Sequence, residues 1–177
     1  VGTAWNKELG GLVWNENGLS DNATVQELER GLSANACASL VNSILYKITD
    51  ETKYLDWAKC YHEFCKKMQD DKTRIYYNGI HTVIKDGKRY NGEINKDMYS
   101  YNTGSMILAN LELYHITGDK TYFEDAMLSS GAAYRYFIQE DEKRGLLYPK
   151  DFIWFTAILA EGWKALACEG SSRETEY

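Results

Sequence analysis

The 177-residue sequence predicts an all-α protein of the α/α toroid type, in which inner and outer helices alternate around a common centre. Three observations lead to this prediction. They are an internal repeat, a regular alternation of broad-faced and narrow-faced amphipathic helices, and long polar connections between the helix pairs. Together they predict five main helices, long loops that gather on one face, and one small hairpin.

The internal repeat is the most informative feature of the chain. Residues 45–58 can be laid over residues 113–126 at a constant offset of 68 positions. In each copy a hydrophobic segment ends in Leu-Tyr-x-Ile-Thr, a short polar turn follows, and a second segment begins with Tyr. Each copy therefore predicts two helices joined by a tight turn.

The breadth of the apolar face distinguishes two kinds of helix. Two adjacent apolar rows predict an inner helix, whereas one apolar row opposite charged residues predicts an outer helix. By this criterion the inner helices span residues 28–48, 105–116 and 152–167, and the outer helices span residues 54–68 and 122–137. Gly118 is predicted to end the second inner helix. The polar residues 169–177 are predicted to form a frayed tail.

The long connection 70–100 contains a predicted hairpin. Residues 80–84 and 88–90 have the composition of strands, and they flank an Asp86-Gly87 turn. Connections of this length are uncommon unless they are functional. They also argue against a tetratricopeptide-like solenoid, in which the helices follow one another closely.

The composition bears on the possible partners. The chain has 26 acidic and 20 basic residues, and the basic residues are scattered, which argues against nucleic acid as a partner. No apolar run is long enough to predict a membrane partner. No glycine-rich phosphate loop or nucleophile elbow is present, and no cofactor is expected. The 14 Tyr and five Trp offer planar faces with polar groups, which sugar-binding clefts use.

The four cysteines are predicted to be buried free thiols, because they lie within apolar-periodic segments and lack the spacing of a disulfide framework. They are Cys37, Cys60, Cys65 and Cys168. On a helix, His62 points away from Cys60 and Cys65, so no metal site is predicted there. The three histidines fall on separate elements and are assigned no catalytic role.

Several short motifs occur in an order that resembles glycoside hydrolase family 76. They are Gly-Gly-Leu-Val-Trp at 10–14, Ser-Ala-Asn at 33–35, Tyr-Asn-Thr-Gly at 101–104, and the last inner helix at 151–163. The paired Leu-Tyr-x-Ile-Thr turns are similar to that family's repeats. The sequence departs from the family at Thr103, where Gln is usual, and at 154–156, where Trp-Phe-Thr replaces Phe-Lys-Gly.

The resemblance implies an (α/α)6 barrel that cleaves α-1,6-linked mannan or manno-oligosaccharides by a retaining mechanism. An Asp-Asp pair upstream of the glycine-rich segment is expected to supply the nucleophile and the acid/base, with the two carboxyl groups roughly 5 to 5.5 Å apart. The five helices correspond to the second half of such a barrel. Residues 1–177 are therefore expected to form a single partial domain whose partners are a mannan-type oligosaccharide and the missing N-terminal half.

No catalytic residue is expected in this chain, and the chain alone is expected to be inactive. Asp70 and Asp71 are adjacent, but they lie downstream of the glycine-rich segment, so their position in the order is wrong for the catalytic pair. Glu93 and Asp97 precede the Tyr-Asn-Thr-Gly motif and are candidates for the rim of a cleft, with surface carboxylates as the alternative.

Five residues are predicted to bind substrate: Trp14, Asn35, Tyr101, Asn102 and Asp151. Trp14 is either a stacking platform for a sugar or a hydrophobic anchor for the first loop. The other four residues begin inner helices, where each side chain either caps the backbone or points into the cleft.

Two other classes of function remain open from the sequence. One is another (α/α)6 sugar enzyme, such as an unsaturated uronyl hydrolase or a sugar epimerase, and an upstream Asp-Asp pair would argue against it. The other is a noncatalytic glycan-binding helical protein, which would bind manno-oligosaccharides without turnover.

Overall fold

The computed structural model describes residues 5–20, 22–24, 26–147 and 151–174. Within these residues the helices are α1 (Leu32–Thr49), α2 (Thr52–Lys66), α3 (Ser100–Thr117), α4 (Lys120–Phe137) and α5 (Ile153–Glu174). The strands are β1 (Arg30–Gly31), β2 (Gly79–Lys85), β3 (Lys88–Asn95), β4 (Gln139–Asp141) and β5 (Gly145–Leu147). The five predicted helices are therefore present, together with small sheets.

The helices form two layers. Helices α1, α3 and α5 lie side by side with α3 in the middle, α2 packs against α1, and α4 packs against α3. Most residues of α3 are buried, because this helix has neighbours on both sides and behind it. The pairing of α1 with α2 and of α3 with α4 agrees with the sequence repeat.

The first inner helix begins later than predicted. Residues 28–31 lie outside α1, because Arg30 and Gly31 form β1 and pair with Ile80 and Gly79 of β2. The main-chain hydrogen bonds of this pairing replace those of a helical turn. The apolar periodicity of the segment is thus overridden by a strand partner some fifty residues away.

The helix ends follow local chemistry. Helix α1 stops at Asp50 (φ 57°) and α3 stops at Gly118 (φ 71°), both in the left-handed region that ends helices. This confirms the predicted stop at Gly118. Helix α5 continues to Glu174, so the tail predicted from residue 169 is helical up to that point, and residues 175–177 lie outside the described residues.

The predicted hairpin is confirmed and is part of a larger sheet. Strands β2 and β3 pair in antiparallel fashion around Asp86 (φ 52°) and Gly87 (φ 70°), and two consecutive residues with positive φ match the tight hairpin turn. Strand β1 adds to β2, which gives the order β1-β2-β3. A second hairpin, β4-β5, was not predicted, because each of its strands has only three residues.

Cys37, Cys60 and Cys65 form no disulfide bond, and the prediction that all four cysteines are buried is right only for Cys65. Cys60 is half-buried, and Cys37 and Cys168 are exposed. None of the described helices combines the length and the apolar character needed to cross a bilayer.

Helices α3 and α5 meet backbone to backbone at a glycine. A Cβ atom on Gly104 would lie 2.6 Å from the Leu159 Cα and 2.7 Å from the Ile158 carbonyl oxygen. On the α5 side, a Cβ atom on Gly162 would lie 3.1 Å from the Gly104 carbonyl oxygen. The lack of side chains at both positions therefore sets the distance between these two inner helices.

We expect Gly104→Ala to lower the free energy of unfolding by about 1–3 kcal/mol, because the obstructing atoms are backbone atoms that cannot rotate away. The matched control is Gly131→Ala in α4, where the nearest atom to the new Cβ is the Arg135 Nη1, at 3.4 Å. This control is expected to be neutral or to stabilise by about 0.5–1 kcal/mol, because alanine favours the helix. Urea unfolding measures both effects, and equal stability of the two variants would contradict the close packing.

Candidate functional site

A cleft of about 580 Å³ opens at the N-terminal ends of α1 and α3. Its walls come from the first loop, the segment around β1, the ends of β2 and β3, and the first turns of the two helices. The lining residues are Trp14, Gln26, Glu29, Gly31, Ser33, Asn78, His81, Asn95, Asp97, Tyr99 and Tyr101. Trp14 and Tyr101, which the sequence predicted as substrate-binding, are thus brought to the same cleft.

The glycine-rich loop packs closely against α2. Gly11 has φ 82°, and a Cβ atom there would lie 2.4 Å from the Phe64 ring, so only glycine fits. Asn35 holds Leu12, the residue after Gly11, in place. Its Oδ1 accepts a hydrogen bond from the Leu12 N–H (2.8 Å), and its Nδ2 donates to the Leu12 carbonyl (3.2 Å). Asn35 is fully buried and is not among the lining residues, so it anchors the loop behind the cleft.

Trp14 lies at the mouth of the cleft. Its indole Nε1 donates to the Gln26 carbonyl (2.8 Å) and its backbone N–H donates to the Glu29 carbonyl (3.2 Å). The residue is nevertheless 53% exposed. The ring is therefore held in position while part of its surface stays open to solvent.

Stacked aromatic rings form another part of the cleft wall. The rings of Tyr99 and Tyr101 stack at 5.7 Å with an interplanar angle of 7°, and Phe155 of α5 packs edge-on against Tyr101 at 4.4 Å. The Tyr101 hydroxyl donates to the Asn78 Oδ1 (2.9 Å). Burial raises the pKa of Tyr101 to about 12, so its hydroxyl stays protonated and can act as a donor.

Asn102 and Asp151 lie behind this wall. Asn102 is fully buried, and its Nδ2 donates to the Asn78 Oδ1 at 3.3 Å. Asp151 caps α3 and not its own helix, because its Oδ2 accepts a hydrogen bond from the Ser100 N–H (2.6 Å). Neither residue lines the cleft, and both support residues that do.

The sequence interpretation missed Glu29, the most buried charged group in the cleft wall. Its Oε1 accepts from the Asn78 Nδ2 (2.9 Å) and its Oε2 accepts from the Asn95 Nδ2 (3.1 Å). Gly79 makes room for it, since a Cβ atom there would lie 2.6 Å from Oε1. The adjacent charged pair Glu29-Arg30 next to the Ser-Ala-Asn motif was the signal that could have revealed it.

The remaining candidates are divided between the cleft and the surface. His81, which was assigned no role, lines the cleft with its Nδ1 3.3 Å from the Glu29 Oε2. Asp97 also lines the cleft, whereas Glu93 is exposed and lies outside it. Asp70 accepts hydrogen bonds from the Tyr77 hydroxyl and from the Thr73 N–H, which lower its pKa to about 2, and it organises a turn away from the cleft.

The chemistry of the cleft is that of a site for a polar, uncharged or cationic ligand. Amide and hydroxyl groups supply donors and acceptors, and three aromatic rings supply planar faces. Among the described residues, no lysine or arginine lines the cleft, and no three potential metal ligands come together.

The described residues thus form paired inner and outer helices with an aromatic, amide-rich cleft at one end, an arrangement suited to a polar ligand such as a carbohydrate. The model of glycosyl hydrolase family 76 matches residues 1–167, and the chain belongs to this family. No curated protein matches the chain in sequence.

Solved structures of the same fold agree. One is a family 76 mannosidase from Bacteroides thetaiotaomicron, with 22% sequence identity and a TM-score of 0.79. The matched region includes 97% of this chain and 46% of the mannosidase. Another is a protein from Listeria innocua, with 25% sequence identity and a TM-score of 0.75. Its matched region likewise includes 97% of this chain and 46% of the Listeria protein. An inactive variant of the α-1,6-mannanase of Salegentibacter sp., with two adjacent aspartates replaced, is solved in complex with α-1,6-mannotetrose. This mannanase is 24% identical in sequence, with a TM-score of 0.69. The matched region includes 90% of this chain and 44% of the mannanase. The chain thus spans less than half the length of these structures.

Proposed function

We propose that the intact protein hydrolyses α-1,6-linked mannan or manno-oligosaccharides, and that this chain supplies one wall of the substrate cleft. The observation that carries the proposal is the cleft lined by Trp14, Tyr99 and Tyr101 in a chain of family 76. The absence of lysine and arginine among its described lining residues disfavours a uronyl hydrolase, because uronate carboxylates need cationic partners.

The proposed mechanism is retaining and uses two carboxyl groups. One carboxylate attacks the anomeric carbon, while the other, protonated, gives its proton to the leaving oxygen; water then releases the bound sugar with the second group acting as base. We assign both groups to an adjacent Asp pair in the part of the domain that precedes this segment. The inactive double-aspartate variant of the Salegentibacter mannanase supports this assignment.

We further propose that the described helices are one arc of an (α/α)6 toroid and that residues 1–177 form one partial domain. Support comes from the apolar rows at the two edges of the inner layer, which no described element covers. These rows are Val41, Ile44 and Ile48 on α1, and Ile153, Ala157 and Ala160 on α5. Neighbouring helices of the remaining half would cover them, so the chain alone is expected to be inactive and to associate with that half.

The proposed substrate contacts are Trp14 and Tyr101. Three further residues do not contact the sugar but support those that do. Asn35 holds the glycine-rich loop, Asn102 holds the Asn78 side chain, and Asp151 holds the start of α3. Stacking of a pyranose on the open face of Trp14 uses the apolar side of the sugar, and the Tyr101 hydroxyl network presents amide groups to its hydroxyls.

The experiment incubates the intact protein with α-1,6-mannan and follows the products by chromatography and the anomeric configuration by NMR. We expect release of manno-oligosaccharides whose first-formed anomer is α. Binding of manno-oligosaccharides without any turnover would instead support a noncatalytic glycan-binding protein, and the absence of both binding and turnover would overturn the proposal.

We expect Trp14→Ala to weaken oligosaccharide binding roughly tenfold, because a stacked ring contributes on the order of 1.5 kcal/mol. Leu128→Ala is the matched control, since Leu128 is 57% exposed on the outer helix α4. Isothermal titration of both variants with α-1,6-mannotetraose measures the difference. Equal affinities for the two variants would remove Trp14 from the site.

A further inference from the structure

A second pocket, separate from the cleft, lies between the first loop and the tip of the β2-β3 hairpin. Its volume is about 580 Å³, and none of the residues that line it also lines the cleft. We call it the tip pocket, and its lining residues are Asn6, Lys7, Glu8, Gly87, Lys88 and Arg89. Three of them are cationic and one is anionic, so positive charge is in excess here, although the chain as a whole has a net charge of −6.

The three cations of the tip pocket have no ion-pair partner among the described residues. Lys7 and Lys88 are exposed, and their ammonium groups form no hydrogen bond with the described part of the chain. The Arg89 guanidinium donates to the Gly18 carbonyl (3.0 Å) and the Ser20 carbonyl (3.4 Å), which hold it in place without neutralising its charge. Cationic donors whose charge is not neutralised are the groups that bind oxyanions.

The hairpin also places two lysines opposite each other beside the tip pocket. Lys85 and Lys88 are direct partners in the β2-β3 register, on either side of the turn at Asp86 and Gly87. Like charges in directly opposed positions destabilise a strand pair. Asp86 forms no ion pair with either lysine. A bound anion would relieve this repulsion, which is an observation independent of the pocket's shape.

A buried guanidinium adds positive potential behind the first loop. Arg30 is fully buried, and its Nη1 donates to the Leu9 and Gly10 carbonyls, directly after the lining residues 6–8. Its other acceptors, Thr82 and Asn91, are also neutral. Solvent and salt screen a buried charge less than an exposed one, so Arg30 makes this loop more attractive to an anion.

The face of the hairpin that carries Lys88 continues into the cleft. A Cβ atom on Gly92 would lie 3.2 Å from the His81 Cβ and 3.3 Å from the Val83 Cγ1, so both side chains share one face, and His81 lines the cleft. Tyr90 is opposite Val83 in the register and is 46% exposed. Because side chains alternate along a strand, Tyr90 and Lys88 share this face. A glycan in the cleft can therefore extend over Tyr90 to Lys88.

We propose that the tip pocket binds an oxyanion of the phosphate type, carried as an ester by the glycan whose neutral units occupy the cleft. Lys7, Lys88 and Arg89 supply the charge-assisted hydrogen bonds. The carboxylates of Glu29 and Asp97 line the cleft and repel an anion there, which directs the ester to the tip pocket. The anion site stands on its own geometry, whereas the identity of its carrier rests on the proposed function.

The first test is an NMR titration of the intact protein with inorganic phosphate. We expect the backbone amide signals of residues 6–8 and 87–89 to shift in a saturable way, whereas the signal of Tyr101 in the cleft stays in place. Added sodium chloride should weaken the binding, because exposed charges are screened by salt.

Two double variants locate the phosphate site. Lys7→Gln/Lys88→Gln is expected to weaken phosphate binding at least about fivefold, because it removes two of the three cations. The control, Lys53→Gln/Lys164→Gln, removes the same charge from exposed positions on α2 and α5 and is expected to leave the affinity unchanged. The melting temperature of Lys7→Gln/Lys88→Gln without phosphate is expected to be no lower than that of the parent, since the Lys85–Lys88 repulsion is removed.

The second test identifies the carrier. The substrates are an α-1,6-mannan that carries phosphate monoesters and the same polymer after phosphatase treatment, and kcat and KM are measured for both. We expect the KM of the intact protein to be at least about fivefold lower for the phosphorylated polymer, with kcat unchanged. In Lys7→Gln/Lys88→Gln the two KM values should become equal.

The outcomes separate this inference from the proposed function. Phosphate-induced shifts that spread over the whole surface, or that persist in Lys7→Gln/Lys88→Gln, would overturn the anion site. Equal KM values for the two polymers in the parent would overturn the glycan as the carrier, as would binding to phosphatidylglycerol vesicles that the same variant loses. If neither polymer is hydrolysed while phosphate still shifts residues 87–89, the proposed function fails and the anion site stands.

Discussion

Replacing Arg30 with methionine is expected to lower the free energy of unfolding by roughly 3 kcal/mol or more and to abolish sugar binding in the cleft. The guanidinium is fully buried, with Nε 3.0 Å from the Thr82 Oγ1 and Nη1 2.7 Å from the Gly10 carbonyl oxygen. Nη2 lies 2.5 Å from the Asn91 Oδ1. One side chain thus ties the glycine-rich loop to both strands of the hairpin.

The reason for the large effect is that methionine leaves several buried acceptors without a donor. Unmatched buried carbonyls each cost about 1–3 kcal/mol, although water can relieve part of this. The guanidinium also lies 5.4 Å from the Phe64 ring centroid, a contact that methionine retains only as packing. Burial lowers the pKa of Arg30 to about 10, which still leaves it charged at neutral pH.

Two further variants make the Arg30 prediction specific. Arg30→Lys keeps a charge but loses the fork of donors, so its stability is expected to fall between those of the parent and Arg30→Met. Arg135→Met on the exposed face of α4 is the control and is expected to stay within about 0.5 kcal/mol of the parent. Urea unfolding measures all three, and an Arg30→Met variant as stable as the control would show that the loop does not depend on Arg30.

Replacing Asp125 with asparagine is expected to destabilise the protein by about 2–3 kcal/mol. The Asp125 Oδ1 accepts from the Lys66 Nζ (2.7 Å) and the Arg74 Nη2 (2.6 Å). Its Oδ2 accepts from the Tyr76 hydroxyl and the Asn110 Nδ2, both at 3.0 Å. Breaking a buried pair costs about 3–5 kcal/mol, and the lower figure allows for the partial exposure of the two cations.

This cluster also predicts how stability depends on pH. Burial alone would raise the pKa of Asp125, but the hydrogen bonds from Lys66, Asn110 and Tyr76 and the charge of Lys66 outweigh it, so the pKa is lowered from 3.8. Burial lowers the pKa of His62 from 6.5, although its hydrogen bond with Asn110 opposes the shift. Both groups bind protons more readily in the unfolded chain.

Stability should therefore fall as the pH falls. The contribution of His62 is lost first, below its ordinary pKa of 6.5, and that of Asp125 is lost later, as the pH passes through 3.8 and below. In Asp125→Asn the acidic part of this loss should shrink, because the group that titrates there is gone. Melting temperatures of the parent and the variant from neutral to acidic pH measure this. The same slope below pH 4 in both would contradict the assignment.

The helical part of the fold followed from the sequence because its causes are local. The Leu-Tyr-x-Ile-Thr repeat marked both inner-to-outer turns, Gly118 marked a helix end, and Asp86-Gly87 marked the hairpin. Each of these signals acts within a few residues along the chain. Trp14 and Tyr101 were predicted from motifs that resemble family 76, and the structure places both residues in the lining of the cleft.

The polar centre of the cleft was decided only by tertiary structure. Glu29 had been placed inside a predicted helix, and only the pairing of Arg30 and Gly31 with β2 turns it toward Asn78, Asn95 and His81. Asn35 and Asp151 show the same limit, because their hydrogen-bond partners lie 23 and 51 residues away in the chain. Helix periodicity depends on residues that are close in the sequence, whereas a hydrogen bond between distant segments depends on how the whole chain packs.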